Sequence, residues 1–251
     1  MPTVRPQLIN DEIYHVVVRG VSGTEIFKNP NDYYRGIFSI YEFNNSQLIT
    51  IQKKREARGR FKKKLGGDTI PTAFVDERDK MVDVLAFCFM SNHIHLLLKQ
   101  VADRGISQFM KKLGAGYAGY FNKKYSREGH LFQGRFKVVH VESDDQLKNV
   151  FVYIHANPIS LIEPGWKERG INNSEKVIEF LENYKWSSYQ DYIGKNNFTS
   201  VTNRKFLTEV MGGIDNCKGA INDWVAYKKG LKDLGNIVLE QIKLGRDTIP
   251  T

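Results

Sequence analysis

The sequence predicts an α+β protein, a mainly antiparallel sheet with helices on one face, extended by a helical annex at the C-terminus. Three observations predict it. Two apolar runs, Val82–Met90 and His93–Lys99, are separated only by Ser91 and Asn92, the signature of an antiparallel hairpin. Segments with apolar residues at helical spacing alternate with short β-branched runs. Their order, β, α, β, β, α, β, α, is the alternation of a ferredoxin-like core.

Each element has its own local signal. Ile13–Gly20 (IYHVVVRG) is rich in β-branched residues and closed by glycine, which reads as a core strand. The following helix is expected to be capped by Asn31 or Asp32, with Ile37, Ile40 and Tyr41 on one face. A basic, glycine-containing stretch from about 46 to 80 breaks the apolar pattern and reads as an insert or long loop. After the hairpin and Gly105, apolar positions Ile106, Phe109, Met110, Leu113, Tyr117 and Tyr120 recur at helical spacing. The glycines Gly114, Gly116 and Gly119 in that helix suit close packing or bending. Phe136–Ser143 reads as a further strand, and Ser143 or Asp144 caps a helix that runs until Pro158. Helical stretches from about Asn203 to Leu244 make the annex. One oddity is that KLGGDTIPT (Lys64–Thr72) returns as KLGRDTIPT (Lys243–Thr251) with eight of nine positions identical, for which the sequence offers no physical account.

Composition narrows the class of protein. At 251 residues and 41% hydrophobic the chain is long and apolar enough for one good core with a small annex. There is no apolar run of about 18 residues and no apolar segment in MPTVRPQLINDE, so neither membrane insertion nor secretion is expected. Cys88 and Cys217 are far apart and fit no CxxC spacing, which favours buried thiols in a reducing, cytoplasmic setting. The 37 Lys and Arg against 28 Asp and Glu leave a charge of +9, which favours a polyanionic partner, nucleic acid or an acidic membrane surface. The excess is clustered: KKREARGRFKKK (Lys53–Lys64), which contains Arg58 and Arg60, has eight basic residues against one acidic. A nucleic-acid contact and a solvated basic loop account for it equally.

The chemistry begins at FMSNHIHLLLKQ, Phe89–Gln100. Side chains of a strand point alternately to its two faces, so His93 and His95 share one face and Ile94 takes the other. Two imidazoles side by side make half of a metal site, although packed or hydrogen-bonded histidines give the same pattern. Tyr153 and Asn157, four residues apart, lie one above the other on a helix. Asn157 offers an amide oxygen to a hard cation such as Mg2+ or Mn2+, and the phenol of Tyr153 then stands close to whatever the cation polarises. A phenol beside a metal-bound phosphodiester is placed to attack phosphorus and form a phosphotyrosine. A tyrosine standing alone on an amphipathic helix would instead be core.

MSNHIHLLLK, GHLFQGRFK (Gly129–Lys137), YIHANPI (Tyr153–Ile159) and WSSYQDY (Trp186–Tyr192), in that order, resemble the HUH single-tyrosine transposases, in particular the REP-associated tyrosine transposases. The resemblance runs from about Ile13 to Ile193. It implies a ferredoxin-like HUH-nuclease core, with residues 1–195 as the catalytic domain and 196–251 as the annex. It implies further that His93, His95 and Asn157 hold the Mg2+ or Mn2+ and that Tyr153 is the nucleophile. The implied reaction is a nick in single-stranded DNA near a hairpin, with a 5′-phosphotyrosine, a free 3′ hydroxyl and subsequent rejoining. Such a protein is bacterial, cytoplasmic and nucleoid-associated, has no membrane partner, and works as a monomer or a homodimer.

Around this centre, Arg135 and Lys137 are candidate phosphate contacts, expected on the face opposite Phe136. Lys111, Lys112, Lys123 and Lys124 give the second helix a basic side suited to phosphates or to solvent. Tyr117, Tyr120 and Tyr125 are rival nucleophiles, with packing the better account of the first two. His140 and His155 read as local hydrogen-bonding residues, and His15, on the first strand, is the histidine a central strand brings to the site. A histidine-triad hydrolase is disfavoured because position 97 is leucine. The alternative of another class is a domesticated, non-cleaving protein that binds hairpin nucleic acid.

Overall fold

The computed structural model describes residues 6–48, 76 and 78–230. Arg58 and Arg60, both copies of the nine-residue near-duplicate and most of the basic insert lie outside the described residues. Four strands, β1 (Ile13–Arg19), β2 (Val82–Met90), β3 (His93–Gln100) and β4 (Lys137–Val141), form one sheet in the order β2-β3-β1-β4. Every neighbouring pair is antiparallel. This is the ferredoxin-like order that the alternation predicts, with β1 and β3 at its centre.

Helices α1 (Pro30–Phe43) and α2 (Gly105–Lys124) cover one face. Ile37, Ile40 and Phe43 of α1 and Phe109, Leu113 and Tyr117 of α2 bury there against Tyr14, Val16, Ile94 and Leu96. The helices meet closely at one glycine: a Cβ on Gly116 would stand 2.2 Å from the Phe43 ring, whereas nothing crowds Gly119. Asn29, not Asn31 or Asp32, caps α1, accepting from the Asn31 N–H at 3.1 Å. The reason is Pro30, which has no N–H to satisfy and whose fixed φ suits the first helical position. Asp32 is instead buried, accepting from the Lys28 N–H, Lys124, Tyr120 and Tyr125 at 2.6–3.0 Å.

The opposite face is taken by α3 (Asp144–Ala156) and the C-terminal helices, a placement that the alternation alone does not specify. Ser143 caps α3 as expected, accepting from the Gln146 N–H at 3.3 Å. After a 3-10 turn, Asn157–Leu161, come α4 (Trp166–Arg169), α5 (Ser174–Asn183), α6 (Tyr189–Tyr192), α7 (Arg204–Met211) and α8 (Ile214–Gly230). Leu207, Cys217, Ile221 and Val225 of α7 and α8 bury in the same core as Phe151 and Ile154 of α3. A register shift between Val84 and Ala86 exchanges the faces of β2. Val82, Val84, Phe87 and Phe89 therefore face α1 and α2, while Leu85, Ala86, Cys88 and Met90 face α3.

The outer edge of β2 is covered by the segment that begins at Trp186. Phe89 N–H donates to the Trp186 carbonyl at 2.9 Å, Ser188 N–H to the Phe87 carbonyl at 3.0 Å, and Phe87 N–H to Ser188 Oγ at 2.9 Å. An open strand edge is thereby satisfied by the chain itself. The same Ser188 hydroxyl lies 2.8 Å from Nε2 of His155 on α3, so this segment also fixes the helix that carries Tyr153.

Candidate active site

The sheet register builds the site. His15 lies opposite Leu97 and His95 opposite Val17, which makes the two imidazoles diagonal neighbours on one face. His15 Nε2 and His95 Nδ1 are 3.0 Å apart and the rings stack at 5.2 Å. His93, partly exposed, sets its ring edge-on to His95 at 4.9 Å and its Nδ1 2.6 Å from the Asn92 amide oxygen. The Tyr153 ring, carried by α3, stands edge-on to both His15, at 5.7 Å, and His95, at 5.5 Å. The strand and helix signals thus converge on one place, with Tyr153 meeting histidines of its own chain.

One atom bears on a metal. His95 Nε2 is buried and has no hydrogen-bond partner, whereas its Nδ1 is held by His15. A buried, unpaired imidazole nitrogen carries a desolvation cost that coordination relieves. If Nδ1 carries the proton and donates to His15, Nε2 presents its lone pair, the arrangement in which an outer histidine orients a ligand. Asn157, one turn beyond Tyr153, donates from Nδ2 to the Tyr153 carbonyl at 2.7 Å. Its oxygen is then the atom that faces away from the helix bond and suits a hard cation. An unpaired imidazole nitrogen and an amide oxygen are donor types that fit a divalent ion, although among the described residues no three His, Cys, Asp or Glu side chains gather into a set that could hold one.

The histidines are neutral at neutral pH, as ligands must be. Burial lowers His15 to about 4; burial, then the charges of Arg19 and Lys167, lowers His93 to about 4. Burial first, then His15, His93, Lys167 and Arg19, holds His95 well below its ordinary range. Burial also takes His155 to about 3. Between about 6.5 and 4 the unfolded chain binds protons that the folded chain refuses, so acid drives unfolding there. The metal-free protein should therefore melt at a clearly lower temperature at pH 5 than at pH 7. Equal melting temperatures across that window would contradict the buried neutral histidines.

The remaining sequence candidates fall into place differently. Lys137 lies opposite Val17, which puts it on the histidine face at the exposed edge strand. Arg135 is exposed and precedes the strand, so alternation says nothing of its direction. The α2 lysines stand apart from the histidines, because α2 packs on the far face of the sheet. Lys112 donates to the carbonyls of Asn45, Ser46 and Gln47 at 2.6–3.0 Å, where α1 ends, and Lys124 pairs with Asp32 at 2.6 Å. Lys111 and Lys123 are exposed on that same far helix. The rival tyrosines are engaged there too: Tyr117 donates to the Ile26 carbonyl, and Tyr120 and Tyr125 to Asp32. His140 bonds Glu12 at 2.8 Å, as its local reading expects.

Two cations at the site were not singled out in the sequence. Arg19 ends β1 directly opposite His93, and Lys167 places Nζ 5.4 Å over the Tyr153 ring. Arg19 was discoverable, being in phase with His15 along the strand. Lys167 was not, since no periodicity links a short helix to Tyr153, fourteen residues earlier.

Fold and site together define an α+β protein with a histidine-pair, single-tyrosine centre. Residues 43–157 match the family model described as "Transposase IS200 like", so the resemblance to the single-tyrosine transposases is shown over the segment that holds His93, His95, Tyr153 and Asn157. A search of solved structures returns "Structure of the REP associates tyrosine transposase bound to a REP hairpin", at 12% identity and a TM-score of 0.42, covering 79% of this chain and 90% of that chain. No curated protein matches the sequence. Among the described residues no helix is long and apolar enough to cross a membrane.

Proposed function

We propose that this protein is a metal-dependent single-stranded DNA transposase that nicks and rejoins DNA near hairpins through a 5′-phosphotyrosine. The observation that carries the reading is Tyr153 packed at 5.5 Å on His95, whose Nε2 is buried and unpaired, within a segment that matches the IS200-like transposases. His93, His95 and the Asn157 oxygen would hold Mg2+ or Mn2+. Such an ion polarises a phosphodiester and neutralises charge on its non-bridging oxygen.

The chain's own residues do the rest. A His95 Nδ1–H donated to His15 would leave His95 Nε2 with its lone pair free to ligate. The bond from Asn157 Nδ2 to the Tyr153 carbonyl ties the amide that would hold the ion to the turn that carries the nucleophile. The phenolic oxygen, losing its proton, attacks phosphorus; the new bond is Tyr153 O–P, the broken one is P–O3′, and the leaving 3′ oxygen takes up a proton. Attack by a 3′ hydroxyl reverses these changes and frees Tyr153. The nucleophile faces its own chain's histidines, which supports cleavage in cis, whether the protein works alone or paired.

The test is a denaturing gel of protein with single-stranded hairpin oligonucleotides taken from the DNA flanking the gene, with Mg2+ or Mn2+ and with chelator. A slow-migrating adduct that requires the metal is expected. A native-gel shift with no adduct for any flanking hairpin would favour the non-cleaving binding protein instead. Affinity should also fall steeply with salt, with a slope of about −0.7 in log–log form for each single-strand phosphate contacted. Salt-independent affinity in a titration from low to high salt would contradict the phosphate-binding surface.

A further inference from the structure

We propose that Arg19 and Lys167 form a two-sided phosphate clamp across the tyrosine–histidine centre, gripping the phosphates of single-stranded DNA at the bond that Tyr153 attacks. This rests on the DNA-processing reading of the site. The two cations come from unrelated parts of the chain. Arg19 closes β1, and the alternation from His15 through Val17 puts it on the histidine face, opposite His93. Arg19 is exposed. Lys167 comes from the short helix α4 and stands above the Tyr153 ring, with Nζ 5.4 Å from its centroid.

The loop that presents Lys167 is held on both sides. Trp166, 2% exposed, anchors it in the core edge-on to Trp224 at 5.2 Å. The Glu163 carboxylate accepts from the backbone N–H groups of Asn172 and Asn173 at 2.8 and 3.1 Å, closing the loop on itself. Ile171 N–H reaches the Lys228 carbonyl of α8 at 3.3 Å. These contacts fix the backbone from which Lys167 reaches the Tyr153 ring, and preorganised charge beside a reacting group is where electrostatic catalysis gains most.

The two side chains differ in the grip they offer: the Arg19 guanidinium matches phosphate oxygens as a fork, and Lys167 acts as a point charge.

The clamp is tested in the full chain by fluorescence anisotropy of a labelled hairpin oligonucleotide with a single-stranded flank, across a salt series. Tyr153→Phe removes chemistry from the binding measurement, and Lys167→Met or Arg19→Met is added to it. Each added substitution should flatten the log affinity–log salt slope by about 0.7, the value for one single-strand phosphate contact. Lys167→Arg should restore it. In the Tyr153 protein, Lys167→Met should slow adduct formation by about 100-fold. Slopes unchanged by both methionine variants would overturn the clamp, whatever happens to the adduct. Wild-type protein that binds but forms no adduct would instead overturn the transposase reading and leave the slopes to decide the clamp.

Discussion

Tyr153→Phe is expected to abolish the covalent protein–DNA adduct while hairpin binding stays within a few-fold of wild type. The substitution removes only the phenolic oxygen, and the ring keeps its edge contacts with His15 and His95. Folding should therefore change little, and loss of the nucleophile should lower nicking by on the order of 10^4-fold or more. The other tyrosines are poorly placed to substitute. Tyr117, Tyr120 and Tyr125 lie across the sheet, bonded to the Ile26 carbonyl and to Asp32. Tyr192 is buried with its hydroxyl on the Leu85 carbonyl. An adduct that persists in Tyr153→Phe, mapped by peptide mass, would move the nucleophile elsewhere and sink the assignment.

The second large effect is expected at His95. His95→Ala should eliminate metal-stimulated nicking and weaken Mn2+ binding, followed by titration calorimetry on the apoprotein, beyond detection. It also strips His15 Nε2 of its partner in a buried setting, which costs about 1–3 kcal/mol of stability. His15→Ala gives the informative contrast. It leaves all three proposed ligands in place but releases the orientation of His95, and a loss of about 10- to 100-fold in metal affinity is expected from removal of such an outer partner. If His95→Ala binds Mn2+ as wild type does, the paired histidines are a packing feature and the cation is held elsewhere.

Much of this site was legible because its signals are local. The HxH spacing places two imidazoles on one strand face, and the four-residue spacing of Tyr153 and Asn157 stacks them on one helix face, whatever surrounds them. Ser143 as a cap was legible for the same reason. The cap of α1 was misread by two or three residues because Asn31 and Asp32 are equally good capping residues by type, and only the burial of Asp32 among Tyr120, Lys124 and Tyr125 shows its other use. The partners of Lys112 and Lys124 were not legible for a like reason, since a basic helix face looks alike whether its lysines meet phosphate, solvent or the protein's own carbonyls and carboxylates.

By itself, then, the sequence determined the βαββαβ order, the paired histidines on a strand, the tyrosine on the helix that follows β4, and an excess of positive charge. These are periodicities and counts, properties of a few neighbouring residues. Only the tertiary structure decided that α3 takes the face opposite α1 and α2, that His15 is the residue that meets His95, that Arg19 lies opposite His93, and that Lys167 stands over the Tyr153 ring. Those outcomes depend on which strands pair and in what register, including the shift at Val84/Ala86 that exchanges the faces of β2. Register is set by burial over the whole sheet at once, and a one-residue slip would carry every side chain to the other face.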